Sequence, residues 1–397
     1  MSTWPELFEE IGGWTGIIGR LLDGENLSDR ETAAACAEIL RGAATPAQIA
    51  GYAVALRAKG ETVDEMAGML DAMYQFAEPM ELPEPELDGP VVDTCGTGGD
   101  RSGSINVSTV AAFIVAGAGA TVCKHGGRAA SSLAGSADVL EALGVAIDLG
   151  PEGVLRCMQE AGMGFCFAPR FHPAMRNAAP VRRELGIPTI FNYLGPLANP
   201  CHVRRQVIGV SDASMAPKMI GVLKRSGCLR AMVVHGDDGL DELTTTSPST
   251  VMDLRGGPPG CSDGEGGGDG NGNGGEGKGE RAEGKGGAPA VHTWSFDPAE
   301  LGIPAPDPAA LIGADAATNA DLLRRILDGQ DGALRDISLV NAAAAIVVAG
   351  LAEDLASGIA LARESVDAGS ARRVLDRLIE VSQRLRSEDI QQANVSR

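Results

Sequence analysis

Four short apolar runs, at residues 91–92, 121–123, 206–210 and 231–235, recur between longer segments of helical character, and each leads into a loop rich in glycine or charge. Strands that alternate with helices require crossover connections, and these build a largely parallel sheet with helices on its faces. Most of the chain is therefore expected to be α/β, with the charged loops at the carboxyl ends of strands, where open α/β sheets bind their ligands.

The chain ahead of these runs differs in kind. Leu27, Ser28 and Asp29 offer caps for a helix over residues 31–40, and Thr45-Pro46 starts the next with proline in its first turn. Residues 63–76 keep Met66, Met69, Leu70 and Met73 on one helical face. A stretch rich in Pro and Glu, residues 78–90, then breaks the pattern. The expected division is a small all-helical domain, residues 1–88, joined to a larger α/β domain, residues 89–397, and a length of 397 residues suits two domains. Residues 256–288 are about half glycine and cannot bury enough apolar surface to offset ordering. They are expected to form a disordered insertion between strands at 250–254 and 291–296, since long loops add little closure entropy.

The formal net charge of −20 repels nucleic-acid phosphate and anionic lipid, so neither is expected as a partner. An anionic substrate would need locally placed cations, backbone N–H groups or metal ions. No basic segment followed by an apolar run opens the chain, and residues 107–123, the longest apolar stretch, are short for a membrane span. They read better as a buried helix running into a buried strand. The eight cysteines include no C-x-x-C pair and no zinc-ligand spacing, and read as small buried hydrophobes in a reducing compartment. A cytoplasmic location is expected.

The strongest local signal follows the first apolar run: Asp93-Thr94-Cys95-Gly96-Thr97-Gly98-Gly99-Asp100. Its glycines let the backbone turn sharply and offer N–H groups to an anion. Asn106-Val107-Ser108-Thr109 then opens an apolar helix whose N-terminal N–H groups and dipole favour negative charge at the same place. Taken alone, the loop is a tight turn with a capped helix, and it fits neither the Walker A nor the dinucleotide pattern. The second run ends in Lys124-His125-Gly126-Gly127-Arg128-Ala129-Ala130-Ser131-Ser132, two cations and two hydroxyls that read as a second anion clamp. Gly135-Ser136-Ala137-Asp138 caps the helix beyond it. The fourth run leads to Asp241-Glu242, hard carboxylates at a strand end of the kind that share Mg²⁺ with phosphate oxygens.

Together these motifs resemble the anthranilate phosphoribosyltransferase family. The match is carried by GTGGD at 96–100, NVST at 106–109, KHG-RAASS across 124–132, RNAAPVRRELGIPTIFNYLGPLANP at 176–200 and DGLDE at 238–242. The resemblance implies a small helical domain hinged to an α/β domain of nucleoside phosphorylase/phosphoribosyltransferase type, usually a homodimer, that transfers phosphoribose from phosphoribosyl pyrophosphate (PRPP) to anthranilate in tryptophan biosynthesis. It further implies a PRPP site lined by Gly96, Gly99, Asp100, Ser104, Asn106, Val107, Ser108, Thr109, Lys124, His125, Gly126, Gly127, Arg128, Ala129, Ala130, Ser131, Ser132 and Ser136. Two Mg²⁺ ions would be held by Ser108, Asp241 and Glu242. Lys124 would steady the leaving pyrophosphate, and Arg182 would face the anthranilate carboxylate.

Two positions depart from the family pattern. Gly127 stands where the family has an Asn that touches anthranilate, and Tyr193 stands where Leu is usual. Gly127 keeps open a second reading, a same-fold phosphoribosyltransferase or nucleoside phosphorylase with another acceptor. A third, a non-catalytic relative that binds nucleic acid, is opposed by the intact GTGGD and Asp241-Glu242 and by the charge.

Overall fold

The computed structural model describes residues 2–83, 87–129, 133–256 and 289–395. Five helices come first: α1 (Trp4–Glu10), α2 (Gly13–Leu22), α3 (Asp29–Arg41), α4 (Pro46–Lys59) and α5 (Val63–Gln75). The last three begin in capping boxes. Ser28, Thr45 and Thr62 accept from the backbone N–H three residues on, and Glu31, Gln48 and Glu65 reach back to the cap's own N–H. Two orphan donors are thereby satisfied at each start. Met66, Met69, Leu70 and Met73 are all buried.

The remainder runs β1 (Val91–Gly96), α6 (Val107–Gly117), β2 (Thr121–Gly126), α7 (Ser136–Leu143), α8 (Pro151–Ala161), β3 (Met163–Phe167), α9 (Ala168–Phe171), α10 (Ala179–Leu185), α11 (Ile190–Leu197), β4 (Arg205–Gly209), α12 (Ala216–Arg225), β5 (Arg230–Gly236), β6 (Ser249–Arg255), β7 (Ala290–Phe296), α13 (Ala316–Leu327), α14 (Ala333–Ala349), α15 (Leu355–Asp367) and α16 (Ser370–Val395). Among the described residues, seven strands form one sheet in the order β3-β2-β1-β4-β5-β6-β7. Neighbours from β3 through β5 are parallel, and β5–β6 and β6–β7 are antiparallel. The four expected strands and the pair flanking the insertion are all present. β3 is an addition: it is short, contains Gly164, and has no β-branched residue to mark it.

Alternate residues of β4 and β5 enter different cores. On β5, Met232 and Val234 join a core with α6, α14, α15 and α16, whereas Ala231 and Val233 join one with α5, α11 and α12. The sheet is thus covered on both faces, which is why its strands read as continuous apolar runs. The second core also holds Ile17, Leu40, Tyr52 and Met69 from the N-terminal helices together with Ile190, Leu194 and Met219. Phe8 and Trp14 meet edge to face within it, 5.3 Å between centroids. Strand order reverses at β1–β4, so the carboxyl ends of β1, β2, β4 and β5 surround a switch-point crevice. Residues 257–288 of the expected insertion lie outside the described residues. Arg255 pairs with Ala290 across their ends. Among the described residues no helix is long and apolar enough to cross a membrane.

Candidate active site

Asp241 and Glu242 follow β5 and turn back over the ends of β1 and β4. The Gly98 N–H donates to Asp241 Oδ2 at 2.7 Å, and the Ser108 N–H donates to Glu242 Oε1 at 3.1 Å. Asp241 passes so close that a Cβ on Gly96 would stand 2.4 Å from its Oδ2, and one on Gly209 would stand 1.5 Å from its carbonyl oxygen. Neither position can carry a side chain without moving Asp241, its carboxylate in one case and its backbone in the other. Burial, then the neighbouring Asp100, pushes the Asp241 carboxyl up to about 6, and burial followed by Asp241 pushes Glu242 well above its usual range. Asp100 Oδ2 is buried and has no hydrogen-bond partner. Two desolvated carboxylates, beside a third that leaves one buried oxygen unpartnered, are a donor set that a hard divalent cation fits.

Lys124 is 1% exposed, on β2 rather than in the loop beyond it. Its ammonium donates to the Thr94 carbonyl and lies 3.3 Å from Ser108 Oγ. Burial lowers its pKa, and the nearby Asp93 opposes the shift. Asp93 is itself fully buried and pushed up to about 7 by burial, with Lys124 pulling it back. Its oxygens accept from the His125 N–H at 3.2 Å and from Asn199 Nδ2 at 2.8 Å. Asp93 and Thr94 open the glycine-rich motif but were given no role from sequence, and Asn199 and Gly209 were given none either. Their signal is slight, one polar or small residue inside an otherwise apolar run.

The expected anion-binding groups divide. Ser108, Lys124, Asp241, Glu242 and Asp100 come together. Thr109 Oγ1 donates to Ser136 Oγ at 3.0 Å beside them. The first three N–H groups of α6 differ from expectation, because each already has an acceptor: Ile105 O, Glu242 Oε1 and Asn106 O. Asn106 opens α6 without capping it, and its side chain instead donates to Ala134 O at 2.9 Å and accepts from Asn319 at 3.1 Å. Arg128 also differs. Asp138 and Glu141 of α7 lie within its reach at 2.7 and 2.8 Å, so its exposed guanidinium is paired rather than a free clamp. The Ala129 N–H donates to Asp138 at 3.0 Å.

Val107 is buried at the start of α6. Gly99 turns at φ 81°, and Ser104 pairs with Ile312 in an isolated bridge. His125, next to Lys124, places Nδ1 3.2 Å from Gly195 O. Gly126 ends β2 against Phe165. Among the described residues, a Cβ on Gly127 would meet only Ala168, at 3.9 Å. Ala130, Ser131 and Ser132 lie outside the described residues.

Arg182 projects from α10 with its guanidinium 6.0 Å from the Phe191 ring centroid. It has no carboxylate or carbonyl partner among the described residues, and burial lowers its pKa. In a chain of net charge −20, a half-buried cation left without a counter-charge is suited to an anionic ligand. Tyr193, the other departure, is buried with its hydroxyl 3.5 Å from Asp212 and Arg57 over its ring.

Comparison with known proteins matches both domains of the fold. Residues 15–77 match the helical bundle domain of a glycosyl transferase family, and residues 88–258 and 276–372 match its a/b domain. Anthranilate phosphoribosyltransferase from a Nocardioides species is 48% identical over 97% of this chain and 100% of its own. The enzyme of the same name from Salinispora arenicola is 47% identical over 94% of this chain and 98% of its own. The crystal structure of anthranilate phosphoribosyltransferase from Thermus thermophilus superposes with a TM-score of 0.78 at 37% identity, covering 92% of this chain and 99% of that one. With both domains matched and near-complete coverage at almost half identity, the chain belongs to the anthranilate phosphoribosyltransferase family.

Proposed function

We propose that this protein transfers the ribose 5-phosphate of PRPP to the amino group of anthranilate, releasing pyrophosphate. The observation that carries the reading is the convergence of Asp241, Glu242, Ser108 and Lys124 at the ends of β1, β2 and β5. That set suits a diphosphate and its counter-ions. Asp241, Glu242 and the Ser108 hydroxyl are the residues that would hold Mg²⁺, two ions on the family pattern, with Asp100 facing them. Bound there, the metal would neutralise charge that collects on pyrophosphate as the C1–O bond breaks. Lys124 supplies a fixed positive charge on the same side, with no reorganisation needed at the moment of reaction. PRPP carries its own leaving group, so no protein nucleophile is required. The amine nitrogen attacks the electron-poor C1 from the opposite face, forms the C–N bond and gives up a proton to solvent. Arg182 would pair with the anthranilate carboxylate and aim the ring, which makes it a positioning residue for the acceptor.

A second reading rests on Gly127. The space beside it is open, and the acceptor site lacks the amide that the family places there. A different aromatic amine would then be the acceptor, with the PRPP machinery unchanged. Anthranilate fluorescence followed with PRPP and Mg²⁺ separates the readings. Its loss on mixing supports the first. Consumption of another amine but not anthranilate supports the second, and no turnover with any amine overturns both. A homodimer and a cytoplasmic location belong to the same proposal, and analytical ultracentrifugation tests the dimer.

A further inference from the structure

Three cysteines far apart in the sequence meet on the side of β2 away from Lys124. Cys123 lies on β2, Cys166 on β3 and Cys201 in the turn ahead of β4, and all three are buried. Their Sγ atoms form a triangle: 3.1 Å from Cys123 to Cys201, and 3.7 Å from Cys166 to each of the others. Asn199 fixes two of its corners through the backbone. Its Oδ1 accepts from the Cys201 N–H at 3.0 Å, and its Nδ2 donates to the Cys123 carbonyl at 2.9 Å. Separations of 43 and 35 residues follow no metal-binding spacing, so the cluster is invisible in the sequence.

A cation bonded to three thiolates at about 2.3 Å holds the sulfurs about 4 Å apart when the site is planar. Two edges of the triangle are already close to that value, and small χ1 rotations of Cys123 and Cys201 open the third. A disulfide needs about 2.05 Å between one pair and leaves the third sulfur unused. S–H donation from Cys123, then from Cys166, holds the Cys201 thiol below its usual range, whereas burial holds the Cys166 thiol well above its own. A fourth ligand is missing among the described residues. Asn199 Oδ1, the next donor, lies 4.0 Å from Cys123 Sγ and is engaged by the Cys201 N–H. Structural zinc is almost always four-coordinate. Soft sulfur ligands without a fourth donor instead suit a monovalent ion that accepts three.

We propose that Cys123, Cys166 and Cys201 form a buried three-coordinate site for a thiophilic monovalent cation, of which copper(I) is the biological example. Each metal–sulfur bond replaces an S–H bond whose proton leaves to solvent. The copper stays monovalent and no electron is transferred.

The test is titration of the reduced full-length protein, under argon, with copper(I) supplied as its acetonitrile complex and challenged by a copper(I) chelator. Retention of one equivalent is expected, with X-ray absorption showing three sulfur neighbours. Cys123→Ala or Cys201→Ala should lose the retained ion. No retention by the wild type, or coordination by two sulfurs, overturns the proposal, and both are read without any variant. Equal retention by the Cys123→Ala/Cys166→Ala/Cys201→Ala protein overturns it as well, because binding would then lie at other cysteines such as Cys261. Retention of zinc(II) but not copper(I) overturns the choice of ion.

Discussion

Asp241 shows how much of the site one residue can organise. It occupies a backbone donor of the glycine-rich loop, and its approach forbids side chains at Gly96 and Gly209. It sits in a loop beyond a strand end, yet it is only 9% exposed. Replacing it by Ala therefore removes a loop anchor along with a charge. Asp241→Asn keeps an acceptor for the Gly98 N–H, so it should lose Mg²⁺-dependent turnover while its melting temperature stays level or rises, since a crowded buried charge has gone. Undiminished Mg²⁺ dependence in that variant would remove Asp241 from the metal set. At the acceptor end, Arg182→Ala should raise the anthranilate KM far more than the PRPP KM. Gly127 has no left-handed backbone and an open Cβ direction. Gly127→Asn should fit, and should lower the anthranilate KM by about the 0.5–1.5 kcal/mol of one net hydrogen bond. If it abolishes turnover instead, the pocket is shaped for something bulkier. Lys124, Ser108, Asp241 and Glu242 were legible because each stands in a motif. Asp93 and Asn199 stand in motifs too, but their pairing was not legible, because a buried carboxylate and its amide partner, 106 residues apart, meet only in three dimensions.

At the scale of elements, the sequence announced its helices well where caps were present. Ser28, Thr45 and Asp138 do at their helix starts what their spacing suggests. Asn106 has the right residue type for a cap and is drawn elsewhere by Asn319 and Ala134, contacts that exist only once α13 and the loop before α7 have packed. β3 escaped notice because its burial comes from α8 and α16, and nothing in five residues with a glycine second among them reports that cover. The strands flanking the insertion were plain. Their register places Arg255 opposite Ala290, so a short turn can join them directly. Replacing residues 257–288 with such a turn should leave turnover and melting temperature almost unchanged, because loop length enters closure entropy only logarithmically. A large loss of turnover by a folded variant would show that the segment reaches the substrate.

Over the whole molecule, buried ionisable groups pull in opposite directions. Burial, then the neighbouring His172, pushes His125 down to about 3, and burial lowers His172. Groups depressed in the folded state give stability that is present above about pH 6.5 and lost as pH falls through the folded value. Asp93, pushed up to about 7, has the reverse sign: its contribution is present below about pH 3.9 and lost as pH rises through 7. The two effects overlap, so a melting curve against pH would blur them and a site-resolved measurement is needed. The His125 imidazole should not titrate between about pH 5 and 8 by nitrogen NMR. A midpoint near 6.5 for His125 would mean that its ring reaches water.

The core shared by the N-terminal helices and one face of the sheet bears on cooperativity. Met69 and Tyr52 pack in the same cluster as Val233 of β5, so the helices cannot melt without exposing the sheet's own apolar face. Heating should therefore give one transition rather than a domain-by-domain staircase, with calorimetric and van't Hoff enthalpies in agreement. The tryptophans provide a local check. Trp4 and Trp14 belong to the helices and Trp294 to the strand at the sheet's far edge. Single-tryptophan proteins retaining Trp14 or Trp294 should lose their fluorescence signal at the same temperature, although the two indoles report from opposite ends of the fold.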